Sequence, residues 1–360
     1  MPICTQSPSK QLPVFIVGAG NIVNAAHLPA YKIAGFNVQG IFDIVNDKAK
    51  ATADKFNITH VFKTIEEMLS YMPATAVLDI AVPGSELIPV LNKLPAYSNV
   101  LLQKPMGENY TDAKRILAIA QEKKMVAGVN FQLRYAPFIM EVRNMLKDGL
   151  LGELHDIEVN VNVYTPWQLW DFLYTSPRVE ILYHSIHYID LVRSFFGDPV
   201  SVYAKTTKHP AMKELASVRS NIIMDYGDMT RGNVLTNHCH AYGPQQQQSY
   251  IKFEGTNGAV KINFGVLKNY PQGSATPTED TDTFEYIVLE DGEYKEWKTK
   301  KIEGSWFPHA FIGSMAQVML AAEAIIATPD NSVEDCIHTM ACVEAAYRSS
   351  EEGGIKPGSL

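Results

Sequence analysis

A strand that runs into a glycine-rich turn constrains the fold of this chain more than any other feature. The apolar residues 14–17 lead into Gly18-Ala19-Gly20, and a helix is predicted over residues 25–33. Gly18 permits a tight turn, and Gly20 leaves room for a bound group to approach the backbone. The unpaired N–H groups at the start of the helix attract an anion. The segment therefore predicts the first strand, turn and helix of a parallel sheet.

Apolar strands and helices alternate through the first third of the chain. The predicted strands lie at residues 14–17, 38–42, 61–62, 76–82, 100–102 and 126–130. The predicted helices between them include 48–56, 65–71 and 111–123. Continuous apolar strands indicate a parallel sheet that is covered on both faces, and ligands bind beyond the carboxyl ends of such strands. Residues 10–133 are thus predicted to form a Rossmann domain.

Residues 134–360 have a different pattern of polar and apolar residues and are predicted to form a separate α+β domain. Polar and apolar residues alternate at 154–163, 200–206, 216–226, 232–240, 249–254, 259–264 and 284–290. Such alternation is typical of strands with one buried face, so we expect a large, mostly antiparallel open sheet. Helices are predicted at 137–148, 179–196, 311–327 and 332–350. The overall class is α/β, and the sequence does not say on which domain the last helices pack.

Composition narrows the class of protein. The 360 residues carry a net charge of -8, which disfavours nucleic acid as a partner. No run reaches the roughly 20 apolar residues of a membrane span. The four cysteines lack CxxC spacing and predict reduced thiols in a cytoplasmic protein.

Asp43 completes the evidence for a dinucleotide site. It closes the second strand about 20 residues after the glycine turn, where a carboxylate can accept both ribose hydroxyls and repels a 2′-phosphate. No arginine follows it, which favours NAD over NADP. Val23 occupies the position of the usual third glycine, so the fingerprint is incomplete. Gly18, Gly20, Asn21, Ile22 and Asp43 are the predicted cofactor-binding residues of this segment.

One predicted helix has an unusual polar face. At 100° per residue, Glu180, His184 and His187 fall on one stripe, with Tyr183 and Asp190 beside it. A solvated face would more often carry lysines and glutamates, so this stripe indicates a site. The spacing permits a metal ion, but nothing else in the sequence requires one, and we predict none.

The order of motifs resembles the Gfo/Idh/MocA family of oxidoreductases, named for glucose-fructose oxidoreductase and inositol dehydrogenase. The matching stretches are Gly18-Ala19-Gly20 with His27-Leu28-Pro29-Ala30, Asp43, Ala81-Val82-Pro83, Gln103-Lys104-Pro105, Arg134-Tyr135-Ala136-Pro137, His187-Tyr188-Ile189-Asp190-Leu191, Phe253-Glu254-Gly255-Thr256-Asn257-Gly258, and Val343-Glu344-Ala345-Ala346-Tyr347-Arg348-Ser349. The resemblance spans almost the whole chain. It implies a Rossmann domain, a second domain with a large open sheet, and a homodimer or homotetramer formed through that sheet.

The resemblance also implies roles for individual residues. Lys104 matches the lysine of the family's Glu-Lys-Pro motif, which contacts cofactor and substrate, and His187 matches the catalytic histidine. Gln103 stands where the family has glutamate, and Tyr183 stands where it often has aspartate. We therefore predict Lys104, His187 and Tyr183 as catalytic residues, and Pro83, Gln103 and Lys104 as further cofactor contacts, at a cleft between the domains.

The predicted substrate is a carbohydrate or cyclitol. An aromatic loop around Trp167 could stack on a sugar, although a buried plug is an equal alternative. The predicted substrate residues are Arg134, Trp167, Glu180, His184, Asp190 and His309. The resemblance leaves three functions open: an NAD-dependent dehydrogenase, an NAD-retaining hydrolase or lyase that works by transient oxidation, and a non-catalytic dinucleotide-binding regulator.

Overall fold

The protein divides into two compact units. The computed structural model describes residues 6–9, 11–268 and 282–354, so Cys4 lies outside the described residues. The first unit comprises Met1–Ala136 and Trp306–Met340, and the second comprises Pro137–Ser305 and Ala341–Leu360. The sequence predicts domains over residues 10–133 and 134–360. The expected continuous domain over 134–360 is interrupted, because a late segment joins the first unit.

The first unit is built on a six-stranded parallel sheet, which confirms the predicted Rossmann fold. Its strands are β1 (Pro13–Val17), β2 (Asn37–Phe42), β3 (His60–Phe62), β4 (Val77–Ile80), β5 (Asn99–Leu102) and β6 (Val126–Val129). Their order is β3-β2-β1-β4-β5-β6, so the order reverses between β1 and β4. A crevice for a ligand forms beyond the carboxyl ends at this point of an open α/β sheet.

Helices connect these strands. They are α1 (Leu28–Ala34), α2 (Asn46–Phe56), α3 (Ile65–Tyr71), α4 (Leu87–Lys93) and α5 (Tyr110–Glu122). A π-helical turn at Val23–His27 precedes α1, where the sequence predicted only an α-helix. Every residue of β1, β4 and β5 is buried, as expected for strands covered on both faces.

The helix α9 (Ala310–Ala322) explains why a late segment belongs to the first unit. A Cβ on Gly128 of β6 would lie 2.7 Å from a side-chain carbon of Val318, so this glycine permits close packing of α9 on the sheet. The fully buried Asn331 donates to the Val129 carbonyl at 2.8 Å. The segment therefore covers the sheet and also provides a hydrogen-bond donor for a backbone carbonyl of its edge strand, β6.

The second unit contains the predicted mostly antiparallel sheet. Its strands are β7 (Leu154–Asn162), β8 (Ser201–Thr207), β9 (Arg219–Asp225), β10 (Arg231–Asn237), β11 (Gln248–Gly255), β12 (Gly258–Asn263), β13 (Thr283–Glu290), β14 (Glu293–Tyr294) and β15 (Lys298–Lys300). The order is β14-β13-β12-β11-β7-β10-β9-β8, with β15 paired to β13. Strands β7 and β10 run parallel, and the other pairs described in this sheet are antiparallel.

The second unit also contains helices. They are α6 (Pro137–Lys147), α7 (Ile186–Phe196), the short α8 (Gly265–Lys268) and α10 (Val333–Glu352), which begins in the first unit's segment. A Cβ on Gly232 of β10 would lie 2.6 Å from Val192, so α7 packs directly against the middle of the sheet. Alternate residues of β7, β9, β10 and β11 are buried, which agrees with the predicted alternation.

No helix in the described part of the chain has both the length and the apolar character needed to cross a membrane. Cys239, Cys336 and Cys342 are buried and form no disulfide bond among the described residues.

Candidate active site

The glycine turn is held tightly by its own unit but leaves open space on one side. Gly18 has a φ of 109° and donates its N–H to the Phe42 carbonyl at 2.7 Å. A Cβ on Gly18 would lie 2.4 Å from the Ala81 carbonyl oxygen, so the turn needs glycine for its shape. A Cβ on Gly20 would meet no atom within 4 Å. This open space at the start of a helix fits a pyrophosphate.

Asp43 ties the glycine turn to the end of β2. Its Oδ2 accepts the Ala19 N–H and its Oδ1 accepts the Val45 N–H, each at 2.7 Å. Each carboxylate oxygen keeps further acceptor capacity for a ribose hydroxyl. The next residue, Ile44, is exposed and apolar. The carboxylate is thus both a turn residue and an available ribose acceptor.

The remaining predicted cofactor residues lie at the same edge of the sheet. Pro83 follows β4, and Gln103 and Lys104 follow β5, so they share the carboxyl ends with the glycine turn. Asn21 and Ile22 begin the helical segment after that turn. The first unit therefore brings together every residue that the sequence assigned to cofactor binding. Their arrangement fits a nicotinamide dinucleotide, with Asp43 for the ribose and the glycine turn for the pyrophosphate.

Lys104 has an altered acidity. It is half-buried, and desolvation lowers its pKa from the usual range to about 8. Burial disfavours the charged ammonium, so a substantial fraction of the amine is neutral near physiological pH. A neutral amine can accept a proton, and its conjugate acid can stabilise a developing alkoxide.

The first unit also contains a polar chain that the sequence reasoning missed. Asp79 Oδ2 lies 2.7 Å from His27 Nδ1, and the Asn130 amide nitrogen lies 3.2 Å from His27 Nε2. The same amide donates to Gln103 Oε1 at 2.9 Å. The available signal was Asp79 itself, a carboxylate in the middle of an apolar strand. Its pairing with His27 was not deducible, because 52 residues separate them.

In the second unit, the predicted polar helix face has a different geometry. Residues Ile181–Ser185 form a π-helical turn before α7, so spacing at 100° per residue does not apply there. Glu180 is fully buried and accepts the Ser185 hydroxyl at 2.7 Å and the Ser220 hydroxyl. His238 Nε2 lies 3.5 Å from Oε1 of the same carboxylate. Glu180 therefore faces the sheet, and the expectation that it contacts substrate is corrected.

The partners of Glu180 keep it ionised. Burial by itself raises the pKa of this carboxyl group. His238 and the hydroxyls of Ser220 and Ser185 outweigh burial and hold the pKa below its usual range. The group is a buried, hydrogen-bonded carboxylate that links the helix to the strands of the sheet.

Trp167 and His184 pack against each other. Their rings stack with centroids 4.7 Å apart and an interplanar angle of 24°. His238 approaches the His184 ring edge-on at 4.4 Å. Trp167 is 1% exposed, so it is the buried plug of the two sequence alternatives and not an open surface for a sugar. His184 remains half-buried.

Three further predicted residues lie along the same helical segment. Tyr183 is 9% exposed, His187 is 8% exposed and Asp190 is 1% exposed. The helix is therefore buried on its polar side as well as its apolar side, which excludes a solvated face. Among the described residues, Glu180, His184 and His187 are not a group whose ligand atoms all lie within 4.8 Å of one another. The metal site that the spacing permits is not formed by these three.

Arg134 and His309 both lie in the first unit. Arg134 is 2% exposed, and its guanidinium pairs with Asp335 at 2.6 Å and donates to the Asp330 carbonyl at 2.9 Å. Arg134 therefore binds two residues of the late segment within the first unit. The expectation that Arg134 contacts substrate is corrected, because its guanidinium forms a structural ion pair. His309 immediately precedes α9 and is half-buried.

The chain is similar to several known proteins. A Salmonella typhimurium protein, YceM, is 32% identical over 138 residues, which are 38% of this chain and 44% of that protein. The D-apiose dehydrogenase of Paraburkholderia graminis is 22% identical and aligns with 97% of this chain and 90% of its own. The crystal structure of an Agrobacterium radiobacter oxidoreductase with NAD+, L-tartaric acid and magnesium has a TM-score of 0.75 at 19% identity. That alignment covers 97% of this chain and 99% of the other.

Two family descriptions match most of the sequence. Residues 12–131 match the Gfo/Idh/MocA oxidoreductase family's NAD-binding Rossmann fold. Residues 143–357 match the C-terminal alpha/beta domain of the same family. The order of motifs, the strand order β3-β2-β1-β4-β5-β6 and the open mixed sheet agree with both matches. The chain therefore belongs to the Gfo/Idh/MocA oxidoreductase family.

Proposed function

We propose that this protein is an NAD-dependent oxidoreductase that transfers hydride between the nicotinamide and a hydroxyl of a sugar, an inositol or a sugar derivative. The observation that carries the proposal is Lys104. It shares the carboxyl edge of the sheet with the glycine turn and Asp43, and desolvation lowers its pKa to about 8. A dinucleotide site beside a proton-accepting amine suits alcohol oxidation.

The glycine turn and Asp43 would hold the dinucleotide, which would supply a nicotinamide ring able to accept hydride from a carbinol carbon. Lys104 holds or accepts the hydroxyl proton and stabilises the alkoxide. His187, which matches the family's catalytic histidine, serves as the acid–base group of the second unit. Tyr183 stands beside it in place of the usual aspartate. His184, Asp190 and His309 remain proposed substrate residues.

We further propose NAD as the cofactor in preference to NADP. Asp43 offers acceptor atoms for ribose hydroxyls, and a 2′-phosphate would meet its negative charge. The neighbouring Ile44 is exposed and carries no positive charge that could offset this repulsion. Equal affinity for NADH and NADPH would contradict this assignment.

The test of the activity is absorbance at the nicotinamide band with NAD and a panel of sugars and cyclitols. We expect turnover with at least one member of the panel and its loss in Lys104→Met and His187→Ala. Lys114→Met on α5 is the matched control, because this lysine is exposed and lies outside the proposed site. Activity that survives in Lys104→Met would refute the assigned role of this lysine.

The same assay separates the alternatives. An NAD-retaining hydrolase or lyase would release product without net NADH, and would keep its cofactor through gel filtration. A non-catalytic regulator would bind NAD and turn over no member of the panel. The presence of both Lys104 and His187 favours the enzyme.

We also propose a homodimer or homotetramer formed through the outer face of the second unit's sheet. Tyr203 of β8 is 58% exposed and lies directly opposite Ile223 of β9, which is 45% exposed. Leu235 of β10 adds a third exposed apolar side chain. Contiguous apolar side chains on a sheet face are typical of association surfaces. The described cysteines form no disulfide bond, which supports our proposal that the protein works in the cytoplasm.

A further inference from the structure

Four polar side chains of the first unit form a continuous hydrogen-bonded chain that ends beside Lys104. The chain runs from Asp79 on β4 through His27 and Asn130 to Gln103, with successive distances of 2.7, 3.2 and 2.9 Å. Asp79 and His27 are 0% exposed and Asn130 is 1% exposed, whereas Gln103 is half-buried. The chain therefore connects the interior of the sheet with the predicted cofactor edge.

The buried end of this hydrogen-bonded chain determines which group donates and which accepts in each of its hydrogen bonds. Asp79 Oδ2 accepts the Tyr31 hydroxyl at 2.8 Å and also faces His27 Nδ1. A carboxylate can only accept, so the proton lies on His27 Nδ1. In a neutral imidazole the other nitrogen then accepts, and it faces the amide of Asn130.

The two N–H groups of the Asn130 amide fix the donor and acceptor roles of both neighbouring side chains. Asn130 Nδ2 donates one hydrogen to His27 Nε2 and the other to Gln103 Oε1. If the Gln103 amide rotated by 180°, its own NH2 would face that of Asn130, and two donors would oppose each other. The orientation of the Gln103 side chain is therefore fixed, with Oε1 towards the interior.

We infer that this chain makes Gln103 a positioned hydrogen-bond donor for an oxygen acceptor of the bound cofactor or substrate. Its Nε2 makes no hydrogen bond with any described residue. The family's glutamate at this position would present an acceptor, so the inferred donor changes which ligand atom is recognised. The matching ligand atom is a carbonyl, carboxamide or carboxylate oxygen, either of the nicotinamide carboxamide or of the substrate. The inference rests on the proposed function, since it needs a bound dinucleotide or substrate.

Asn130→Asp is the main test, because it reverses the chain with almost no change in shape. An aspartate accepts from both neighbours, so His27 must donate from Nε2 and Gln103 must turn its NH2 inwards and present Oε1. Gln103→Glu replaces the outward donor by an acceptor directly and keeps the test informative if the aspartate variant does not fold. Tyr31→Phe is the control, since it removes one hydrogen bond to Asp79 and leaves the direction of the chain unchanged.

The first measurement is the affinity of each variant for NADH and for ADP-ribose, by fluorescence and calorimetric titration, with KM for the substrate measured alongside. If the acceptor belongs to the nicotinamide, both variants bind NADH about tenfold or more weakly and ADP-ribose unchanged. If it belongs to the substrate, KM rises by a similar factor at constant NADH affinity. Tyr31→Phe stays within twofold of the wild type.

The second measurement is the tautomer of His27 by 15N NMR, with its signals identified from their loss in His27→Gln. We expect protonation on Nδ1 alone in the wild type and on both nitrogens in Asn130→Asp. Protonation on Nε2 in the wild type would overturn the inference, as would unchanged NADH affinity and KM in both variants. If the wild type binds neither NADH nor ADP-ribose, the proposed function itself fails.

Discussion

Gly18 and Gly20 lie two residues apart, yet alanine should affect stability at Gly18 and cofactor binding at Gly20. Gly18 has a φ of 109°, in a region that alanine rarely adopts, which costs roughly 1–3 kcal/mol. Its Cβ would lie 2.4 Å from the Ala81 carbonyl oxygen, and moving that backbone costs roughly 1–3 kcal/mol more. We therefore expect Gly18→Ala to lower Tm by about 10 °C, given roughly 2–4 °C per kcal/mol for a unit of this size.

Gly20→Ala should leave the fold intact and weaken cofactor binding. A Cβ there meets no atom within 4 Å, and Gly20 does not have a left-handed φ, so stability should change by less than about 1 kcal/mol. The new methyl group enters the space proposed for the pyrophosphate. Displacing one charge-assisted hydrogen bond weakens binding by roughly 1.5–3 kcal/mol, or about 10–100-fold in Kd.

Differential scanning fluorimetry without cofactor and titration with NADH separate the two effects. The expected pattern is a low Tm for Gly18→Ala, and a normal Tm with weak binding for Gly20→Ala. A Gly20→Ala protein that binds NADH as tightly as the wild type would refute the assignment of this space to the pyrophosphate. An unchanged Tm in Gly18→Ala would refute the argument from backbone strain.

Four further predictions concern single side chains. Glu180→Gln should destabilise the protein by roughly 1–3 kcal/mol at pH 7, because it removes charge-assisted hydrogen bonds. Since the folded pKa of Glu180 is lowered, the stability that this group contributes is present above its unfolded pKa and is lost as the pH falls through the folded value. The difference in the free energy of unfolding between wild type and variant, measured by urea titration, should therefore become smaller in acid. For Lys104, the pKa of about 8 predicts that kcat/KM for alcohol oxidation rises with pH and levels off above about 8, as stopped-flow or steady-state rates would reveal. Asp43→Ala should narrow the preference for NADH over NADPH and also lower Tm, since the carboxylate accepts two backbone N–H groups. Ile223→Asp should lower the mass of the oligomer in light scattering without unfolding the monomer, whereas an unchanged mass would exclude this sheet face as the interface.

The fold of the first unit could be predicted because its signals are local. Each parallel strand is a short apolar run, and the residues that follow the strands, such as Gly18, Asp43 and Lys104, necessarily meet at one edge of the sheet. The alternation in the second half likewise identified an open sheet with one buried face. The sequence could not supply the packing of α9, because an apolar helix does not indicate which surface it covers. In the structure, Gly128 leaves room for Val318 of this helix.

The second unit's candidate residues were harder to predict for a geometric reason. A single π-helical turn changes the angular position of Glu180 relative to the residues after it, and a periodicity argument assumes a regular helix. Trp167 was assigned by residue type, and Arg134 lies in a stretch that matches the family. Neither basis reveals burial or an internal partner. The chain from Asp79 to Gln103 joins residues from four separate segments, so no local pattern could indicate it.

The late return of the chain to the first unit has a consequence for synthesis. The six strands are complete by Val129, but α9, which covers the sheet and supplies Asn331 to its edge, begins only at Ala310. At typical rates of translation, the intervening residues take roughly 10–30 seconds to emerge. During that interval an apolar sheet face and an edge strand lack their final cover, so we expect chaperones to bind the nascent chain and its folding to depend on the rate of translation.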